Sequence, residues 1–157
     1  MKTSYLLPNK YKKFGWVLLL GGILSGIIVL PYINEQKSLV IEVLSIFYKP
    51  FWDSEPFEFF KITKNNISDE IISLSIIIGG LIVGFTKEKV EDEFIYKLRK
   101  DSLVWAIIFN YIFLLFLITF VYETFFLDIM KYNMFTPLIF FIIRFNFLKY
   151  KSRSDEE

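Results

Sequence analysis

Residues 102–122 read SLVWAIIFNYIFLLFLITFVY, 21 residues without a charged side chain. A helix of that length is about 30 Å long at 1.5 Å per residue, which matches the hydrocarbon core of a bilayer. The stretch therefore predicts a membrane-spanning helix. Residues 14–33, FGWVLLLGGILSGIIVLPYI, form a second uncharged run, of 20 residues. Two weaker runs accompany them. Residues 71–86, IISLSIIIGGLIVGFT, are 16 uncharged residues that reach span length with Ser68 as a cap, acids in the first turn and a snorkelling Lys87. Residues 132–143, YNMFTPLIFFII, reach it only if Arg144 is counted through to Lys149.

Together the runs predict an all-α fold, an integral membrane four-helix bundle with spans at 14–33, 68–86, 102–122 and 132–149. The connections are an outer loop over 34–67 and a cytoplasmic loop over 87–101. Little of the 157-residue chain remains for a separate soluble domain. A signal peptide is the competing reading of residues 1–33, but no A-x-A-like cleavage site follows the apolar run.

Composition narrows the chemistry. The chain has no Cys and no His, so it lacks thiol nucleophiles, disulfides, the imidazole base and the usual zinc ligands. Its 18 basic and 17 acidic residues give a net charge of +1, without the basic excess of a nucleic-acid binder. No catalytic residue, cofactor or metal is expected, and no direct nucleic-acid partner. Orientation follows from Lys and Arg alone. Thirteen of them lie in the N-terminal arm, the 87–101 loop and the C-terminal end, against five in 34–70 and the third connection. Both termini are expected in the cytoplasm, with the chain in the cytoplasmic membrane.

Small residues suggest where helices meet. Gly22 and Gly26 in the first span and Gly80 and Gly84 in the second each make a G-x-x-x-G, which lets backbones approach where lipid offers no hydrophobic drive. Pairing of spans one and two through these faces is the first reading, and a homo-oligomer seam the alternative. Residues 87–101, KEKVEDEFIYKLRKD, carry an apolar stripe of Val90, Phe94, Ile95 and Leu98, predicting an amphipathic cytoplasmic helix that runs into span three. Glu91, Asp92 and Glu93 give this segment an acidic patch suited to a cytoplasmic protein partner.

In the outer loop, Val40, Val43, Leu44 and Phe47 predict an interfacial helix over about 38–48. Pro50 and Pro56 then break the chain among Phe51, Trp52, Phe57, Phe59 and Phe60, with Asp53, Glu55 and Glu58 nearby. Inside the spans the polar residues to watch are Asn110, Arg144 and Asn146, because a polar group in hydrocarbon needs a partner. A hydrogen bond from Asn110 to Arg144 or Asn146 is one expectation, and Arg144 snorkelling to the inner surface is another.

The blocks KEKVEDEFIYKLRKDSLVWA, NYIFLLFLITFVYETFF and KYNMFTPLIFFIIRFNFLKYK (87–106, 110–126 and 131–151) resemble a group of small four-span membrane proteins of Bacteroidetes to which no function is assigned. The resemblance covers roughly residues 60–150 and implies a cytoplasmic partner such as a small helix-turn-helix regulator. No catalytic residue comes with it. The expected function is non-enzymatic: regulation or partner binding through the cytoplasmic helix, or, as the alternative, a small oligomeric pore.

Overall fold

The computed structural model describes residues 5–28, 39–49 and 57–154. The elements in chain order are a 3-10 turn, Asn9–Tyr11, then α1 Lys12–Ile28, β1 Val40–Tyr48, β2 Glu58–Asn66, α2 Ser68–Gly84, α3 Glu93–Phe120, α4 Glu123–Asn133 and α5 Thr136–Ser154. The chain is mostly helical, but the two strands correct the all-α expectation. Asn9–Ile28 and Glu93–Phe120 are long and apolar enough to cross a membrane. The pair Glu123–Asn133 and Thr136–Ser152, bent by 43°, becomes a third candidate if taken as one span. At 17 residues, α2 is about 25 Å long and falls short of the core thickness.

One compact unit comprises Gly22–Leu74. Within it, β1 and β2 pair antiparallel from Val40↔Asn66 to Tyr48↔Glu58. The interfacial helix expected over 38–48 is thus replaced by a strand. Periodicity alone could not decide this segment, because VIEVLSIFY is also dense in β-branched and aromatic residues that suit a pleated surface. The decision lies in a non-local partner: Phe47 faces Phe59 across the ladder, their rings edge to face at 5.5 Å. Phe60 beside that pair has φ 56°, a left-handed conformation uncommon for a bulky residue. The hairpin passes directly into α2. The Ile67 N–H donates to Leu39 O at 3.1 Å, and the Asn66 side chain accepts from both the N–H and the hydroxyl of Ser68. Pro50, Phe51, Trp52, Asp53, Glu55 and Pro56, and residues 29–33 of the first expected span, lie outside the described residues.

The other unit comprises Met1–Gly21 and Ser75–Glu157. Its core includes Leu19, Val83, Ala106, Leu117, Phe141, Ile142 and Phe145. α3 packs on α5, with Phe109 stacked on Phe140 at 4.5 Å between centroids and buried Ser102 and Ala106 one turn apart on α3. Ser102 satisfies its hydroxyl by donating to Leu98 O at 2.8 Å.

The expected helix over 87–101 begins later, at Glu93, for two reasons. The backbone around Thr86 is held in a parallel bridge to Leu7: the Leu7 N–H donates to Phe85 O and the Lys87 N–H to Leu7 O, each at 2.9 Å. Asp92 then caps α3, its carboxylate accepting from the Ile95 N–H at 2.7 Å. α3 stops at an extended Val121 and Tyr122, and α4 opens on Glu123 at φ 61°. The span expected over 132–149 is instead divided between α4 and α5. Pro137 has no N–H to donate and stands in the first turn of α5, where none is needed.

Candidate functional site at the 85–92 loop

The polar groups of the second unit gather where the N-terminal arm, the 85–92 loop and the last turns of α5 meet. Glu88 lies between two ammonium groups. Lys12 at the start of α1 pairs with Glu88 Oε1, and Lys149 of α5 reaches the same oxygen at 3.0 Å. Asn9 donates from its side chain to Lys87 O at 2.7 Å. On the other side of the loop, Arg99 of α3 makes a two-pronged pair with Glu91, its second prong at 3.1 Å, and also reaches Thr86 O. The guanidinium lies over the Phe145 ring at 5.1 Å. Side chains thereby tie this loop to α1, α3 and α5.

Burial would raise the carboxyl pKa of both glutamates, but their partners reverse the sign. For Glu88, hydrogen bonds and charge from Lys12 and Lys149 outweigh desolvation and hold the carboxyl below its ordinary 4.5. For Glu91, Arg99 and the Glu88 N–H do the same. A carboxylate with a depressed folded pKa contributes stability above its unfolded value, lost as pH falls through the folded one. The thermal midpoint of detergent-solubilised protein is therefore expected to hold steady from neutral pH to about 5 and to fall at lower pH. A Glu88→Gln/Glu91→Gln variant should start lower at neutral pH and lose less on acidification; an acid slope identical to wild type would remove these two groups as its cause.

The acidic patch expected at Glu91, Asp92 and Glu93 is divided by the fold. Glu91 is spent on Arg99 and Asp92 on the α3 cap, while Glu93 stands exposed. Of the stripe, Val90 and Phe94 are exposed as well.

The glycines are also redistributed. Gly26 meets Ile72 of α2 at ordinary contact distance, and Gly22 is buried in α1. Among the described residues α1 and α2 cross closely at Gly79, one of the small residues that mirror those of the first span, and at Gly15, which lies outside both G-x-x-x-G pairs. A Cβ on Gly79 would fall 2.9 Å from the Leu19 Cα, and one on Gly15 would fall 2.6 Å from the Ile82 side chain. Gly80 and Gly84 face α5 instead of α1, against Leu138 and the Phe141 ring. They point there because they lie one and five residues past Gly79, on a neighbouring face.

The intramembrane hydrogen bond expected from Asn110 to Arg144 or Asn146 is not formed. Arg144 lies over the Trp105 ring at 5.3 Å, Asn146 donates to Ile142 O and accepts from Lys149, and the Asn110 side-chain oxygen is buried without a partner. The sequence reading missed Lys12, Glu88, Lys149 and Arg99 as a group. Lys12 and Glu88 are 76 residues apart and Glu88 and Lys149 are 61 apart, so no local spacing signals them.

A cleft of about 610 Å³ opens beside this cluster. Five lysines line it, Lys10, Lys12, Lys13, Lys89 and Lys149, against the carboxylates Glu88 and Asp92. Trp16, Val90, Phe94 and Ile95 add apolar surface to the lining. Such a cleft can attract an anion and cover apolar surface at once. Among the described residues no group of His, Cys, Asp and Glu is placed to hold a metal. No protein-family model, curated protein or solved structure matches the chain.

Proposed function

We propose that this chain is a non-enzymatic protein of the bacterial inner membrane that crosses four times, keeps both termini in the cytoplasm and acts by binding a partner at its cytoplasmic end. The observation that carries the reading is the meeting of Lys12, Glu88 and Lys149. Lys12 opens α1, Glu88 lies in the loop between α2 and α3, and Lys149 stands in the last turns of α5, so each helix that leaves this end is matched by one that returns. If α1 and α3 cross, α2 and α5 must bring the chain back, with α4 up to Lys131 in the outer connection. The short α2 is accommodated by local thinning of the bilayer. The outer face of α3, with Ile112, Leu115, Phe116, Ile118 and Phe120 more than half exposed, is a surface for lipid and too large an apolar patch for water.

The partner surface is the start of α3, where exposed Val90, Glu93 and Phe94 adjoin the lysine-rich cleft. A small helix-turn-helix regulator is the kind of cytoplasmic protein proposed for it. A homo-oligomeric pore through the glycine faces is the weaker reading, since Gly79, Gly80 and Gly84 are filled from within the chain.

Because the natural chain has no Cys, single cysteines introduced at Lys13, Lys64, Lys89, Lys131 and Ser152 can be labelled without background. In intact cells a membrane-impermeant maleimide should label positions 64 and 131 and spare 13, 89 and 152. Labelling of 89 from outside, or protection of 131, would break the four-crossing arrangement. For the partner, a photocrosslinker at Phe94 should yield a discrete adduct that Val90→Ser/Glu93→Lys abolishes; no adduct above background would end the docking idea.

A further inference from the structure

We infer that the lysine-rich cleft binds the phosphate-bearing headgroup of an acidic glycerophospholipid. The inference rests on the proposed placement of this end at the inner membrane surface. Lys12 and Lys149 are held in place by their shared Glu88, which offsets only one of their two charges. Lys10, Lys13 and Lys89 add three more at the rim, and none of them forms an ion pair among the described residues. An ammonium binds phosphate as a point charge, and basic pockets between membrane helices on the cytoplasmic side recognise acidic headgroups. The apolar part of the lining chooses between sources of phosphate. A free phosphate would leave Trp16 and Ile95 facing water, whereas a lipid covers them with its glycerol and first acyl carbons and leaves Val90 and Phe94 to the partner.

Native mass spectrometry of the full chain in a neutral detergent tests this, with phosphatidylglycerol, phosphatidylcholine, glycerol phosphate and inorganic phosphate added in separate arms. Phosphatidylglycerol should be retained in preference to phosphatidylcholine, and neither soluble phosphate should displace it at matched concentration. Lys10→Gln/Lys13→Gln/Lys89→Gln should weaken that retention about 100-fold, from the usual contribution of each surface lysine. The same three positions changed to Arg should restore it. Lys49→Gln/Lys64→Gln/Lys131→Gln, which removes equal charge elsewhere, should leave it unchanged. Equal retention of the two lipids, or equal loss in the control triple, would overturn the proposal in favour of non-specific attraction. Displacement by soluble phosphate would overturn the lipid as ligand. Failure of the topology is separable: outward labelling at position 89 with lipid selectivity intact sinks the orientation alone, and inward labelling without selectivity sinks the cleft alone.

Discussion

Glu91→Ala is expected to lower stability by about 3–5 kcal/mol, the usual cost of removing one partner of a buried ion pair. The Arg99 side chain is 4% exposed, and its principal counter-charge is Glu91. Without it the guanidinium keeps, among the described residues, a weak bond to Thr86 O and the face of Phe145, neither of which neutralises a charge. The start of α3 should then loosen together with the Leu7 bridge, since Thr86 belongs to both. Equilibrium unfolding in mild detergent is the measurement, with Glu93→Ala as the control. Glu93 is exposed and contributes only through the helix dipole, so its loss should stay below about 1 kcal/mol. Removing both charges in Glu91→Ala/Arg99→Met should recover much of the deficit, because an apolar pair avoids the stranded charge. Equal midpoints for Glu91→Ala and Glu93→Ala would show that the pair contributes nothing measurable.

The second large effect is steric. Gly79→Ala is expected to destabilise by about 1–3 kcal/mol, because its new methyl meets the Leu19 backbone, which cannot rotate away as a side chain can. Gly21→Ala, in the same pair of helices, meets nothing within 4 Å and should be neutral or stabilising by up to about 1 kcal/mol through helix propensity. Gly84→Ala should fall between them, since it presses on a Phe141 ring that is itself buried, and Gly80→Ala should be milder because Leu138 can change rotamer. Thermal unfolding of the four variants gives the order. If Gly21→Ala is as damaging as Gly79→Ala, the packing described for α1 and α2 is wrong.

The helices were readable wherever a long uncharged run left only one way to satisfy the backbone. Residues 102–122 are the clearest case, and α3 covers nearly all of them. Legibility failed at shorter segments whose conformation depends on a distant partner. Residues 40–48 satisfied a helical stripe and a strand composition equally, and only residues 58–66 lying alongside made them a strand. The acidic triplet failed for a related reason. Side by side in sequence, Glu91, Asp92 and Glu93 looked like one patch, yet an ion pair to Arg99 and a helix cap engage two of them and leave the third exposed.

By itself the sequence determined the bulk character of the chain. Uncharged runs make apolar helices whatever they touch, because the hydrogen bonds of a helix are local, and the absence of Cys and His limits the side-chain chemistry wherever they fold. The tertiary structure decided everything that needs two distant residues at one place. It set Gly79 against the Leu19 backbone, turned Gly80 and Gly84 toward α5, and brought Lys12, Glu88 and Lys149 into one cluster beside a cleft. The reason is range: helix formation is settled within a few residues, whereas steric fit and charge pairing depend on which faces the packed helices bring together.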